Sequence, residues 1–143
     1  MELLKIYVNL LETQEVLSQN AVIRMISFDG YAQGEYFNGE IQNGGVDTQI
    51  IKEGRTSLSA RYILKGTDDC KEPCQIFIEN NAQSDGEITD TTPVLYTDSK
   101  SLKWIEDEKW RGRLENIGGQ LVITIERADS SGNSANFVGK YCT

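Results

Sequence analysis

NGGVDTQIIKEGRTSLSARYIL, residues 43–64, contains two runs in which apolar and polar residues alternate, VDTQII and SLSARYIL, joined by a short polar link around Gly54. Alternation with period two is the mark of a strand with one face buried, and a glycine between two such runs reads as a hairpin turn. With the turn centred on Gly54, Asp47 falls directly opposite Arg61, Gln49 opposite Ser59 and Val46 opposite Tyr62. Opposing side chains in such a ribbon have Cβ atoms about 4.5–5.5 Å apart, so the register decides which groups interact.

The same reasoning extends to the next ribbon, SARYIL against CQIFIEN with the centre at Cys70, which sets Arg61 opposite Glu79 and Ile63 opposite Phe77. Asp47, Arg61 and Glu79 then form one lateral row, while Val46, Thr48, Ile50, Leu58, Ala60 and Tyr62 share the other face. The separation of charge from apolar residues supports this register, because a slip of one residue in either ribbon throws a charge into the apolar set. A guanidinium fork between two carboxylates can hold both of them, or a ligand's carboxylate. The expected site is therefore Asp47, Arg61 and Glu79, with Gln49 and Phe77 beside them. The competing reading is an exposed cross-strand ion pair contributing about 0.2–1 kcal/mol.

The rest of the chain has the same period. Leu4, Ile6, Val8 and Leu10 alternate with polar neighbours, and AVIRMISF at 21–28 is apolar on both faces, as in a strand covered on two sides. Gly30, Gly34, Gly39, Gly44 and Gly45 follow at short intervals that suit bends and bulges in a curling sheet. One short helix is expected near residues 98–107, capped by Thr97, Asp98 or Ser99, with Trp104 and Trp110 packing it against the sheet. Gly118-Gly119 between WRGRLEN and QLVITIER suits a final hairpin. The polar stretch 129–136 has few apolar anchors and is expected to be mobile. Many short strands with one minor helix define an all-β chain, read here as one antiparallel β-barrel domain over residues 1–143.

Composition narrows the function. With 22 acidic and 14 basic residues the net charge is −8, which argues against a nucleic-acid backbone as partner. No run approaches the roughly 20 apolar residues of a membrane-spanning helix, and MELLKIYVNLLETQ carries acids where a secretory leader has a basic start, so no membrane association is expected and the expected location is cytoplasmic. The three cysteines, Cys70, Cys74 and Cys142, are then expected to be free thiols, with Cys70 and Cys74 as the pair that could form under oxidising conditions. The absence of histidine removes the usual general base and the commonest transition-metal ligand. No metal and no cofactor are expected, and Gly44-Gly45 lacks the flanking pattern of a phosphate loop.

GYAQGEYFNGEIQNGGVD, SARYIL, IFIENN and TDSKSLKWIEDEKWRGRLE, in this order and spacing, resemble domain-of-unknown-function family 3237, also called the UPF0311 proteins. The resemblance runs from about Arg24 to Glu126, with Gly44, Gly45, Asp47, Arg61 and Tyr62 matching the family pattern. It implies an antiparallel barrel related to the calycin or lipocalin-like group, with a cavity at its core, and it implies no established activity.

Three classes of function are compatible with these readings. The first is a barrel that binds a small organic molecule in a polar cavity. The second is a small enzyme with Asp47 or Glu79 as general base, Arg61 steadying negative charge, and Tyr62 or Tyr36 as proton donor. The third is a structural or oligomeric protein, a homodimer, with Tyr62 and Ile78 at its interface.

Overall fold

The computed structural model describes residues 1–128 and Cys142. The segment 129–136, expected to be mobile, lies outside the described residues. Nine strands follow in order: β1 Glu2–Leu17, β2 Val22–Gln33, β3 Phe37–Ile41, β4 Val46–Lys52, β5 Arg55–Asp68, β6 Pro73–Ser84, β7 Asp90–Thr97, β8 Trp110–Ile117 and β9 Gln120–Arg127. All pairings are antiparallel. β3 and β4 both bridge β2 to β5, at different heights, and so occupy one stave between them. With β1 paired to both β2 and β9, the sheet closes into an eight-stave barrel, whose β7–β8 seam is held by two residue pairs, Asp90 with Arg113 and Thr91 with Gly112.

Closure sends alternate residues inward. Ile6, Leu64, Ile76, Ile78 and Ile125 are at most 1% exposed and form the centre of the core. Burying each such side chain contributes about 1.5–3 kcal/mol, which makes the alternation itself the main stabilising feature. β2 crosses closely over β1 at Gly30, whose φ is 140° and where a Cβ would collide with the Tyr7 carbonyl oxygen. Only glycine permits that approach.

The short helix is a 3-10 helix, Lys103–Asp107, shorter than the span 98–107 expected and without a side-chain cap. The residues before it are recruited elsewhere: Ser99 donates from Oγ to Asp68 Oδ2 at 2.7 Å and Ser101 to Asp69 Oδ1 at 3.0 Å. Its buried Ile105, with Leu102, Phe37 and Trp110, plugs one end of the barrel. Trp110 donates from Nε1 to the Ile105 carbonyl at 2.7 Å, and Trp104 lies 5.5 Å from the Tyr36 ring and 6.0 Å from Trp110, so both tryptophans pack as expected.

Three other expectations are corrected. Tyr62 and Ile78 do not form an outer interface, because both point into the barrel and are 3% and 0% exposed. The cysteines are not all free: Cys70 is joined to Cys142, and Cys74 is a free, buried thiol. Cys70 and Cys74 do not pair because Cys74 lies in β6 opposite Gly66, facing inward, while Cys70 sits in the connecting turn.

The third correction concerns register. β4 and β5 are joined by the two residues Glu53 and Gly54, with φ of 54° and 76°. Positive φ at both central positions is the turn geometry that matches strand twist. The ribbon is thus centred between Glu53 and Gly54, one half-step before the glycine. Asp47 consequently pairs with Ala60, and Arg61 pairs with Val46. The expected pairing of Asp47 with Arg61 is absent, whereas Arg61 with Glu79 and Ile63 with Phe77 form as read.

Candidate functional site

That half-step divides the expected row between the two sides of the wall. Arg61 and Glu79 lie on the outer surface, joined Nε to Oε2 at 2.8 Å, with side chains 67% and 29% exposed. Asn81 donates to the other Glu79 oxygen at 3.1 Å. This is a solvent-facing cross-strand ion pair. Phe77 is on the same outer face, stacked with Tyr96 at 6.4 Å between ring centres. Of the residues expected on the face opposite the charges, Val46, Thr48 and Ile50 instead share the outer face with Arg61, Ile50 being 42% exposed, whereas Ala60 and Tyr62 turn inward.

Asp47 and Gln49 face inward. Gln49 donates from Nε2 to Asp47 Oδ2 at 2.9 Å, which fixes the carboxylate, and the remaining oxygen, Oδ1, is buried without a hydrogen-bond partner. Burial holds the Asp47 carboxyl above its ordinary value, and the Gln49 hydrogen bond opposes that shift only in part. Asp47 lies in a lateral row that runs Ile26, Asp47, Ala60, Asn80 and Pro93 across four neighbouring strand pairs. Asn80 is 1% exposed and its Oδ1 also has no partner. Between the two polar residues stands Ala60. At the spacing of adjacent strands their backbones are about 10 Å apart, and Asn80 Oδ1 lies beside Gly112 and Thr91.

Two more inward-facing groups extend the pattern, Tyr62 through its hydroxyl and Thr91 through Oγ1, both buried and without partners. Burial raises the Tyr62 phenol well above its ordinary range, so it remains a neutral donor. Phe28 meets the Tyr62 ring edge-on at 5.2 Å and holds it in place. Asp47, Asn80, Tyr62 and Thr91 thus each carry a buried polar atom without a hydrogen-bond partner on the inner face of the barrel.

The barrel end opposite the tryptophans is open. A cavity of about 350 Å³ sits there, lined by Asp47 and Gln49 and by the apolar Ile26, Leu58, Leu114 and Leu121. At its rim the Arg24 guanidinium is bound to Glu15, on the row Glu15, Arg24 and Gln49 that lies one step outward from Asp47. Tyr36, considered as a proton donor, belongs to the closed end, beside Trp104. Asn80, Arg24 and Glu15 went unnoticed in the sequence. The Cβ positions of Arg24 and Asn80 become visible only once the two-residue turn places Asp47 inside.

Geometry thus defines a closed antiparallel barrel with a partly polar cavity opening at one end. The chain belongs to the DUF3237 family, whose members are described as proteins of unknown function; the family model matches residues 4–88. A UPF0311 protein of Clostridium acetobutylicum is 31% identical, over 67% of this chain and 69% of that one. A crystal structure of a protein with unknown function from Clostridium acetobutylicum superposes with a TM-score of 0.74 at 21% identity, covering 87% of this chain and 93% of that one. A β-barrel like protein from Acinetobacter baumannii gives 0.70 at 20% identity, over 87% and 91% of the two chains. An enzyme from Penicillium herquei gives 0.69 at 15% identity, over 88% and 92%. At these identities the solved structures establish the fold alone.

Proposed function

We propose that the protein binds a compact organic molecule in the open end of its barrel, with Asp47 as the polar anchor. The reading is carried by the inward-facing Asp47, whose Oδ1 is buried and unpartnered in the wall of this cavity. The cavity's largely apolar walls and few convergent polar groups match the usual composition of a small-molecule site. An enzyme that pairs Asp47 with Arg61 does not follow from this arrangement, because the sheet separates the two side chains. Glu79 is likewise outside.

The test is a nuclear magnetic resonance titration of the full chain with indole, a neutral compact probe. Shifts are expected at the amides of Asp47, Ala60, Leu114 and Leu121. Shifts confined to outward-facing positions such as Ile63 and Tyr96, or none at saturating probe, dispose of the proposal. A cytoplasmic setting is a separate proposal, and the Cys70–Cys142 bond runs against it, because cytosolic thiols are kept reduced; among the described residues no helix is long and apolar enough to cross a membrane.

A second reading, self-association into a homodimer, is favoured by exposed apolar residues on the outer face of β5 to β7, where Ile63 is 42%, Val94 38% and Tyr96 55% exposed. Sedimentation showing only monomer at micromolar concentration removes it.

A further inference from the structure

From the charges around the cavity we infer that its ligand is an organic ammonium, an apolar body carrying a protonated amine that docks on Asp47. This rests on the reading of the barrel mouth as a ligand site and specifies what that site selects.

The argument begins with charge balance. Asp47 brings a carboxylate into a half-buried position where one oxygen is held by a neutral amide and the other has no partner. A desolvated charge is costly unless a counter-charge meets it. The cation nearest in register is Arg24, one row outward, and its guanidinium is engaged by Glu15. Glu15 and Arg24 cancel each other, which leaves Asp47 as the uncompensated charge of the cavity.

Each class of ligand meets this arrangement differently. A carboxylate or phosphate would be repelled by Asp47 and would meet an Arg24 whose charge Glu15 already offsets. An alcohol could donate to Asp47 Oδ1 but would leave the negative charge unopposed. An ammonium supplies both the donor and the counter-charge, and its hydrocarbon part matches Ile26, Leu58, Leu114 and Leu121. The net charge of −8 adds a long-range attraction of the same sign.

The experiment compares three probes of one shape on the full chain at pH 7.5: benzylamine, benzyl alcohol and benzoate, by calorimetric or resonance titration. Benzylamine is expected to bind at least about tenfold more tightly than benzyl alcohol, the ratio equivalent to about 1.4 kcal/mol, and benzoate most weakly. Asp47→Asn, a near-isosteric change, is expected to erase the preference for the amine while benzyl alcohol still binds. Glu79→Gln, which removes a carboxylate from the outer surface, is expected to leave the preference intact. Equal affinity for amine and alcohol, preference for benzoate, or an amine preference that survives Asp47→Asn overturns the inference. Binding of the alcohol without charge preference overturns the ammonium alone, whereas silence from all three probes overturns the ligand site as well.

Discussion

Asp47 faces Ala60 across the β4–β5 ribbon and Arg61 faces Val46, so the carboxylate and the guanidinium project to opposite sides of the barrel wall. Two residues that differ by a single position in pairing therefore belong to different environments. One enters the cavity and the other enters bulk solvent.

Energetic coupling should follow this division. A double-mutant cycle of Asp47→Asn with Arg61→Ala, read by urea unfolding, is expected to give a coupling indistinguishable from zero. The cycle of Arg61→Ala with Glu79→Ala is expected to give about 0.2–1 kcal/mol, the worth of an exposed pair. A larger coupling for the first pair than for the second would contradict the register.

The pH dependence of stability has two opposed contributions. The Asp47 carboxyl is held above its ordinary value by burial, so the folded state binds a proton more readily than the unfolded chain. As pH rises from the unfolded value through the folded one, this group costs stability, and acidification through that window relieves the cost. Asp47→Asn is expected to raise the melting temperature at pH 7 and to lose that advantage near pH 4. Asp68 has the opposite sign. Burial acts to raise its carboxyl, but hydrogen bonds from the Ser99 hydroxyl and from the Glu72 and Cys70 backbone N–H groups prevail and hold it below the ordinary value. Its stabilisation is present above the unfolded value and lost as pH falls through the folded one. Asp68→Asn is expected to lower the neutral-pH melting temperature, and an increase would refute the assignment.

The β4–β5 turn carries strain at Glu53, a non-glycine residue with φ of 54°. A left-handed residue costs about 1–2 kcal/mol unless it is Gly or, to a lesser degree, Asn or Asp. Glu53→Gly is expected to stabilise the protein by about 0.5–1 kcal/mol, while Gly54→Val destabilises it, both measured by the denaturation midpoint. Destabilisation by Glu53→Gly would place the turn elsewhere.

Thiol chemistry separates the three cysteines. Cys74 is buried, and burial, with the nearby Asp68 and Asp98, pushes its thiol up to about 11, so it stays protonated at neutral pH. Under native non-reducing conditions a thiol reagent should modify almost no cysteine, and a mild reductant should expose two sites, Cys70 and Cys142, assigned by mass spectrometry. Cys142→Ser is expected to lower stability by about 2–4 kcal/mol, since the bond closes a loop with a sequence separation of 72 residues. Rapid labelling of Cys74 in the folded protein would refute this ordering.

Much of the architecture was legible in the residues. The period-two runs placed the strands, the paired glycines at 118 and 119 placed the last hairpin, and the β5–β6 register was read correctly because both its faces are unambiguous. The extension of β1 to Leu17 was not legible, since the stretch after Leu10 has no clear alternation and its register shifts between Leu10 and Thr13. The helix was overestimated because its polar residues are drawn off by Asp68 and Asp69, groups distant in sequence.

The alternation along each strand, and with it an antiparallel barrel, was determined by the sequence alone, because inward and outward residues must differ in polarity wherever one face is buried. Which face of β4 turns inward was decided only by the tertiary structure. VDTQII is nearly as acceptable with Asp47, Gln49 and Ile51 inside as with Val46, Thr48 and Ile50, so local polarity leaves the choice open. Closure of β4 between β2 and β5, through a turn of two left-handed residues, selects one of the two and so carries a carboxylate into the barrel.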